Sequence, residues 1–180
     1  MRLAPLDPPW DAAVAEDLQK LMPPGMEPLA LFRTVAHNPR VLRRFRRSGL
    51  LDPGSITVAE REIMIHRTCA RCGSEYEWGV HATVFGRANG LDDARLAATV
   101  HGTPDDPVWT PREALIVRLA DALHDTAAVS EPLWGRLRAE FSPAQLVELV
   151  ALAGYYHLVS YVTNAFAIPL EPLGERFPPP

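Results

Sequence analysis

Cysteine is nearly missing from this chain of 180 residues. Cys69 and Cys72 are the only two, too few to staple a fold with disulfides, and this points to a reducing, cytoplasmic setting. A basic excess is also lacking. The formal charge is −4, which argues against a general attraction to nucleic acid or an anionic membrane. The N-terminus runs from Met1 into Pro5, Asp7, Pro8 and Pro9 with no apolar segment of the signal-peptide kind. The longest apolar run, from Leu149 through Ala167, carries His157 and Asn164 and is expected to be a buried helix rather than a membrane span. Period-two alternation and internal repeats are absent, so no sheet is predicted.

Helix-start signals are abundant. Thr57 with Glu60, Ser74 with Glu77, Thr110 with Glu113 and Ser142 with Gln145 all have capping-box spacing, and Asn38-Pro39 reads as an N-cap followed by N1. Each such side chain satisfies a backbone N–H that the first helical turn leaves without a partner. The expected fold is a single all-α domain over residues 1–180, with about eight to nine helices near 10–21, 28–36, 39–48, 57–71, 75–89, 92–100, 111–124, 130–140 and 143–166. Gly90 is the expected C-cap of the fifth helix. Residues 170–180 end in three prolines and read as a loose tail.

Two neighbouring helices place polar groups on apolar faces. Glu62 and His66 share a stripe with Ala59, Ile63 and Cys69, where an unpaired charge is costly. On the next helix Ser74, Glu77, Trp78, His81 and Phe85 follow one face, while Tyr76, Val80 and Val84 make the other side apolar. Glu62, Ser74, Glu77 and His81 are therefore the candidate catalytic residues, with Glu62, His81 and Glu77 as a carboxylate–imidazole–carboxylate cluster for proton transfer near neutral pH. The plainer alternative is that Ser74 and Glu77 cap a helix, that His81 is a satisfied core histidine, and that Glu62 pairs with a nearby arginine.

Cys69-Ala70-Arg71-Cys72 admits two readings, a peroxide-reducing dithiol or two small apolar residues at a helix junction. A zinc site from these cysteines with His66 and His81 is not expected, since no second close ligand pair occurs. Tyr156 and His157 are possible pocket residues on the last helix. His101 and His124 fall where a C-terminal capping role suffices. Arg40, Arg43, Arg44 and Arg47 make a solvated face or a subunit contact.

Glu62, the run Ser74-Glu75-Tyr76-Glu77-Trp78, His81 and Gly90-Leu91 together resemble the carboxymuconolactone decarboxylase family, which shares its helical fold with the alkylhydroperoxidase AhpD-like proteins. The resemblance covers about residues 45–125, and Gly154-Tyr155-Tyr156 through Asn164 resembles the longer members. In the hydroperoxidase branch a glutamate is followed after eleven residues by a cysteine, after two by a second cysteine and after three by a histidine. Anchored on His81, that pattern puts its glutamate on Glu62 and its cysteines on Ser74 and Glu77. The resemblance thus implies a decarboxylase-like enzyme without a cofactor, a homo-oligomer, acting on a small lactone or carboxylic acid. His81 would move the proton, Glu62 would orient it, and Glu77 would be the second acid/base group or a substrate contact. His66, Tyr76 and Trp78 join Tyr156 and His157 as possible pocket residues. The alternatives are a thiol hydroperoxidase using Cys69 and Cys72, and a non-enzymatic oligomerisation module. A sulfur beside the His81 ring would favour peroxide chemistry; a carboxylate there would favour acid/base chemistry.

Overall fold

Capping decides where most of the helices begin. In a computed structural model, which describes residues 1–180, Thr57, Thr110 and Ser142 each close a reciprocal capping box with the residue three positions on. Asn38 accepts from the Val41 N–H ahead of Pro39. The helices are α1 (Ala12–Gln19), α2 (Ala30–Val35), α3 (Pro39–Arg46), α4 (Val58–Arg71), α5 (Glu75–His81), α6 (Asp93–His101), α7 (Pro111–Thr126), α8 (Glu131–Glu140) and α9 (Pro143–Phe166), with no strand.

The fifth helix departs from the single span expected over 75–89. After His81 the chain loosens into a π turn over Ala82–Gly86, then tightens into a 3-10 turn over Arg87–Asn89 that Gly90 ends at φ 88°. A π turn inside a helix is costly and often lies at a functional site. Here it follows His81 directly.

The helix α4 is the axis of the molecule. It packs against α5, α6, α7 and α9, and ten of its fourteen residues are buried. Those ten include Glu60, Arg61, Glu62, His66 and Arg67, so a row of charge crosses the interior. Each charge is met. Glu60 caps its own helix and pairs with Arg112. Arg67 grips Asp121 with two bonds of 2.7 and 2.9 Å and donates to the carbonyls of Thr99 and Gly102. Such two-pronged, charge-assisted bonds fix α7 and the end of α6 against α4. The α9 helix is long and apolar enough to cross a membrane by length and composition, and it packs on α4, α5, α7 and α8. Its outer face leaves Val147, Val150, Leu158 and Tyr161 exposed.

The C-terminal residues are not the loose tail expected from their prolines. They carry no helix, but the Glu175 N–H donates to the Gly79 carbonyl and the Phe177 N–H donates to Glu75. The Phe177 ring meets Trp78 edge to face at 5.3 Å. Proline denies the segment a helix and leaves side-chain packing and the remaining N–H groups free to strap it along α5. Gly79 makes this approach possible, because a Cβ there would lie 2.0 Å from the Glu175 carbonyl oxygen. Gly79→Ala should therefore destabilise by roughly 1–3 kcal/mol in urea unfolding, although alanine is intrinsically the better helix former by about 1 kcal/mol. A stabilised variant would show that the strap carries no weight.

Candidate active site

Glu62 and His81 meet across the α4–α5 contact. Glu62 is fully buried, and its Oε2 accepts from the His81 Nδ1–H at 2.8 Å. Its Oε1 accepts from Arg61 at 3.0 Å. One turn before His81 on α5, Glu77 places Oε1 3.5 Å from His81 Nε2. The Tyr156 hydroxyl, from α9, lies 3.1 Å from the same nitrogen. Both ring nitrogens of His81 thus have partners, two of them carboxylates, and the hydrogen-bond partners of the ring include no sulfur.

Burial pulls the His81 pKa down, but the charge and hydrogen bonds of Glu62, with those of Glu77, outweigh it and raise the value to about 9. The ring is an imidazolium at neutral pH. Burial likewise penalises ionised Glu62, yet His81, His66 and Arg61 hold its carboxyl below the usual range. His66 goes the other way. Its burial and the nearby His81 charge lower it to about 4. Neutral His66 donates from Nδ1 to the Glu62 carbonyl at 2.7 Å, and its Nε2 has no hydrogen-bond partner. That nitrogen faces Gly86, where a Cβ would come within 3.2 Å.

The expected capping box at Ser74 and Glu77 does not form. Ser74 has ψ 78°, against 157–160° at the three residues whose boxes do form, so its hydroxyl is turned away from the first turn of α5. It bonds instead to the Thr163 hydroxyl on α9 at 2.8 Å. Thr163 donates to the Ser160 carbonyl, so Ser74 donates to Thr163. Ser74, a candidate catalytic residue from the sequence, is instead a buried tie between helices that does not line the cavity described next, and Glu77, freed from capping, turns towards His81.

A cavity of about 350 Å³ opens on this cluster. Glu77, His81 and Tyr156 form its polar floor, beside Phe85, whose ring lies 5.0 Å from that of His81. Its walls are apolar and come mainly from the first third of the chain: Leu31 and Phe32 of α2, Phe45 of α3, and Leu50. Leu50 sits in the left-handed region at φ 49°, an uncommon conformation for such a residue. Arg46, Arg47 and Lys20 add cations to the lining. Arg46 pairs with Asp17 and Lys20 with Glu16, whereas Arg47 forms no salt bridge in the structure. These walls have no marker in the sequence, since only the tertiary arrangement brings the first third over α5 and α9.

Several expected pocket residues lie elsewhere. Tyr76 donates to Glu171 and accepts from the Leu31 N–H. Trp78 donates to Thr99. Both are buried ties rather than cavity lining. His66 supports Glu62 from behind. His157 faces away from the cavity, towards His124 and Cys72. His124, read as a capping residue, belongs to that second cluster. Neither cysteine lines the cavity. Cys69 is fully buried, and burial pushes its thiol well above the usual range; Cys72, half-buried, is raised for the same reason.

No family model and no curated protein matches the sequence. Solved structures do. The chain superposes with a TM-score of 0.80 on an uncharacterized peroxidase-related protein from Silicibacter sp. TM1040, at 15% identity over 96% of this chain and 94% of that one. A second, from Ralstonia eutropha JMP134 and described as an alkylhydroperoxidase AhpD core, gives 0.80 at 16% identity over 96% and 94%. The debrominase Bmp8 gives 0.75 at 13% identity over 95% and 92%. The chain has the AhpD-like helical fold.

The pKa shifts set a stability profile. His81 is raised on folding, so its contribution is complete below 6.5 and is lost as pH rises through about 9. His66 is depressed, so its contribution is complete above 6.5 and is lost as pH falls towards about 4. Glu62 is also depressed, so its share is complete above 4.5 and fades as acid protonates it. Unfolding free energy should peak near pH 6.5. In Glu62→Gln, NMR titration should find the His81 pKa far below 9, with roughly 3–5 kcal/mol of stability lost. A His81 titration unmoved in that variant would rule out the coupling.

Proposed function

We propose that this AhpD-like chain is a general acid/base enzyme that decarboxylates, or moves a proton on, a small and largely apolar lactone or carboxylic acid. The observation that carries this is the His81 imidazolium, held between Glu62 and Glu77 and lining an apolar cavity together with Glu77 and Tyr156, the partners of its Nε2. The cavity volume suits a small ring compound. An acidic group on it would be met by Arg47 at the wall. In decarboxylation the bond between carbon and carboxylate breaks, CO2 leaves, and the electron pair passes into the substrate's own conjugated carbonyl. His81 Nε2–H then protonates the carbon. Glu77 and the Tyr156 hydroxyl lie beside that nitrogen and return a proton from solvent. Glu62 does not line the cavity; it orients the ring and keeps it charged, as a positioning residue.

The names of the structural neighbours favour a second reading, peroxide reduction by Cys69 and Cys72. Raised thiol pKa values at both cysteines and their distance from the cavity weigh against it. The complex of a Bmp8 cysteine-to-alanine variant with 2,3,4-tribromopyrrole shows a neighbour accepting a small, mostly apolar ring.

Self-association, expected from the resemblance, has a face to use. On α9, Val147 and Tyr161 lie seven residues either side of Gly154, and Val150 and Leu158 lie four either side. Gly154 has nothing within 4 Å of where a Cβ would sit. Two antiparallel copies crossing at Gly154 would bury all four apolar side chains. Light scattering should find a dimer that Leu158→Glu splits; a monomeric parent chain would count against it.

A panel of unsaturated lactones and carboxylic acids, followed by CO2 release and by deuterium uptake from solvent, tests the main reading. One member should turn over, with kcat/KM falling as pH rises through about 9. His81→Gln should lose about 10²- to 10⁴-fold, and Cys72→Ser should retain activity. Dithiol-dependent peroxide consumption abolished by Cys72→Ser, without turnover of the panel, would establish the second reading instead.

A further inference from the structure

A second polar cluster lies where three helices converge, outside the cavity that Tyr156 lines. Cys72 is the C-cap of α4, His124 occupies the last turn of α7, and His157 is in the middle of α9. Cys72 Sγ lies 3.7 Å from His124 Nδ1. His124 Nδ1 lies 3.2 Å from His157 Nε2. All three donor atoms fall within 4.8 Å of one another, and all three residues are half-buried.

These separations have a chemical meaning. A tetrahedral zinc ion with bonds of about 2.3 Å to sulfur and about 2.0–2.1 Å to nitrogen holds its ligands about 3.6 Å apart for S···N and about 3.3 Å apart for N···N. Both short distances here match. The His157 ring is also aimed, since its Nδ1–H donates to the Ala153 carbonyl at 2.8 Å. That bond fixes the tautomer and leaves the Nε2 lone pair pointing at the cluster, the usual arrangement behind a metal-bound histidine. Asn164 steadies the third ligand by donating to the Cys72 carbonyl at 2.8 Å. Hydrogen bonding accounts for each of the two contacts singly; the metal reading rests on all three donor atoms converging within 4.8 Å.

We propose that Cys72, His124 and His157 form a binding site for a thiophilic divalent cation of the zinc type. The Cys72 thiol releases its proton to solvent on binding, and both imidazoles coordinate in their neutral form. A half-buried setting leaves the fourth position to water, as in sites with exchangeable ligands rather than closed four-residue structural ones. The ion joins the ends of α4 and α7 to α9. It also holds Cys72 as a bound thiolate, so the Cys69/Cys72 pair is unavailable for disulfide formation while metal is present.

The test uses the full chain, freed of metal by a chelator and titrated with zinc(II) against a chromophoric competitor. One zinc should bind per chain. Cobalt(II) in its place should give a thiolate-to-metal charge-transfer band. Cys72→Ser should abolish that band. Cys72→Ser and His124→Ala should each weaken zinc by more than about 100-fold, beyond what loss of an outer-shell partner costs. Cys69→Ser should leave zinc affinity unchanged. Zinc should slow iodoacetamide alkylation of Cys72 in the parent chain and not in His124→Ala, with circular dichroism confirming that the variants fold. Lack of stoichiometric zinc binding, no charge-transfer band in the cobalt form, or affinity that survives both substitutions would overturn the proposal.

Discussion

A carboxylate without access to water, Glu62, is the constraint on which the interior is built. An isolated charge at that depth would be neutralised by a shifted pKa or would unfold the chain. Arg61 takes one oxygen and His81 the other. His81 must then be charged, and it needs partners at its second nitrogen, which Glu77 and Tyr156 provide. These contacts tie α4 to α5 and α9. Satisfying one buried carboxylate therefore fixes how three helices dock, and it leaves an imidazolium facing an apolar cavity.

The same logic runs along the rest of α4. Arg67 fixes α7 and the end of α6, and Glu60 reaches α7 through Arg112. A central helix made of aliphatic residues would pack without such precise partners. Charge on the axis makes the packing directional, because each group is stabilised in one arrangement only. The π turn after His81 belongs to this set. It starts directly after His81, held by Glu62, and ends on Gly86, which leaves room for neutral His66.

Successive residues of α9 serve different centres. Tyr156 turns to His81, and His157 turns to Cys72 and His124. Neighbours on a helix project about 100° apart, so one element separates the Glu62–His81 cluster from the Cys72–His124–His157 cluster. The resemblance puts Ser74 and Glu77 where the hydroperoxidase branch has thiols. In this chain those positions hold a tie to Thr163 and a carboxylate beside His81, while the two thiols lie outside the cavity.

Features that depend on one or two helical turns were legible in the sequence. The nine helices, three reciprocal capping boxes, the Asn38 cap and the Gly90 stop follow from side chains three or four residues apart. So does the alignment of Glu77 with His81, and the row Glu62, Ile63 and His66 on a buried face. Tertiary structure decided the rest. The Ser74 spacing is that of a capping box, but the docking of α9 offers its hydroxyl Thr163 instead. The prolines that deny the C-terminus a helix do not reveal that Phe177 finds Trp78. The cavity walls, and the approach of His124 to Cys72 across 52 residues, arise from long-range packing. Sequence spacing determines which local hydrogen bonds a side chain can reach. A side chain's choice between local and distant partners depends on which helices the buried charges of α4 bring together.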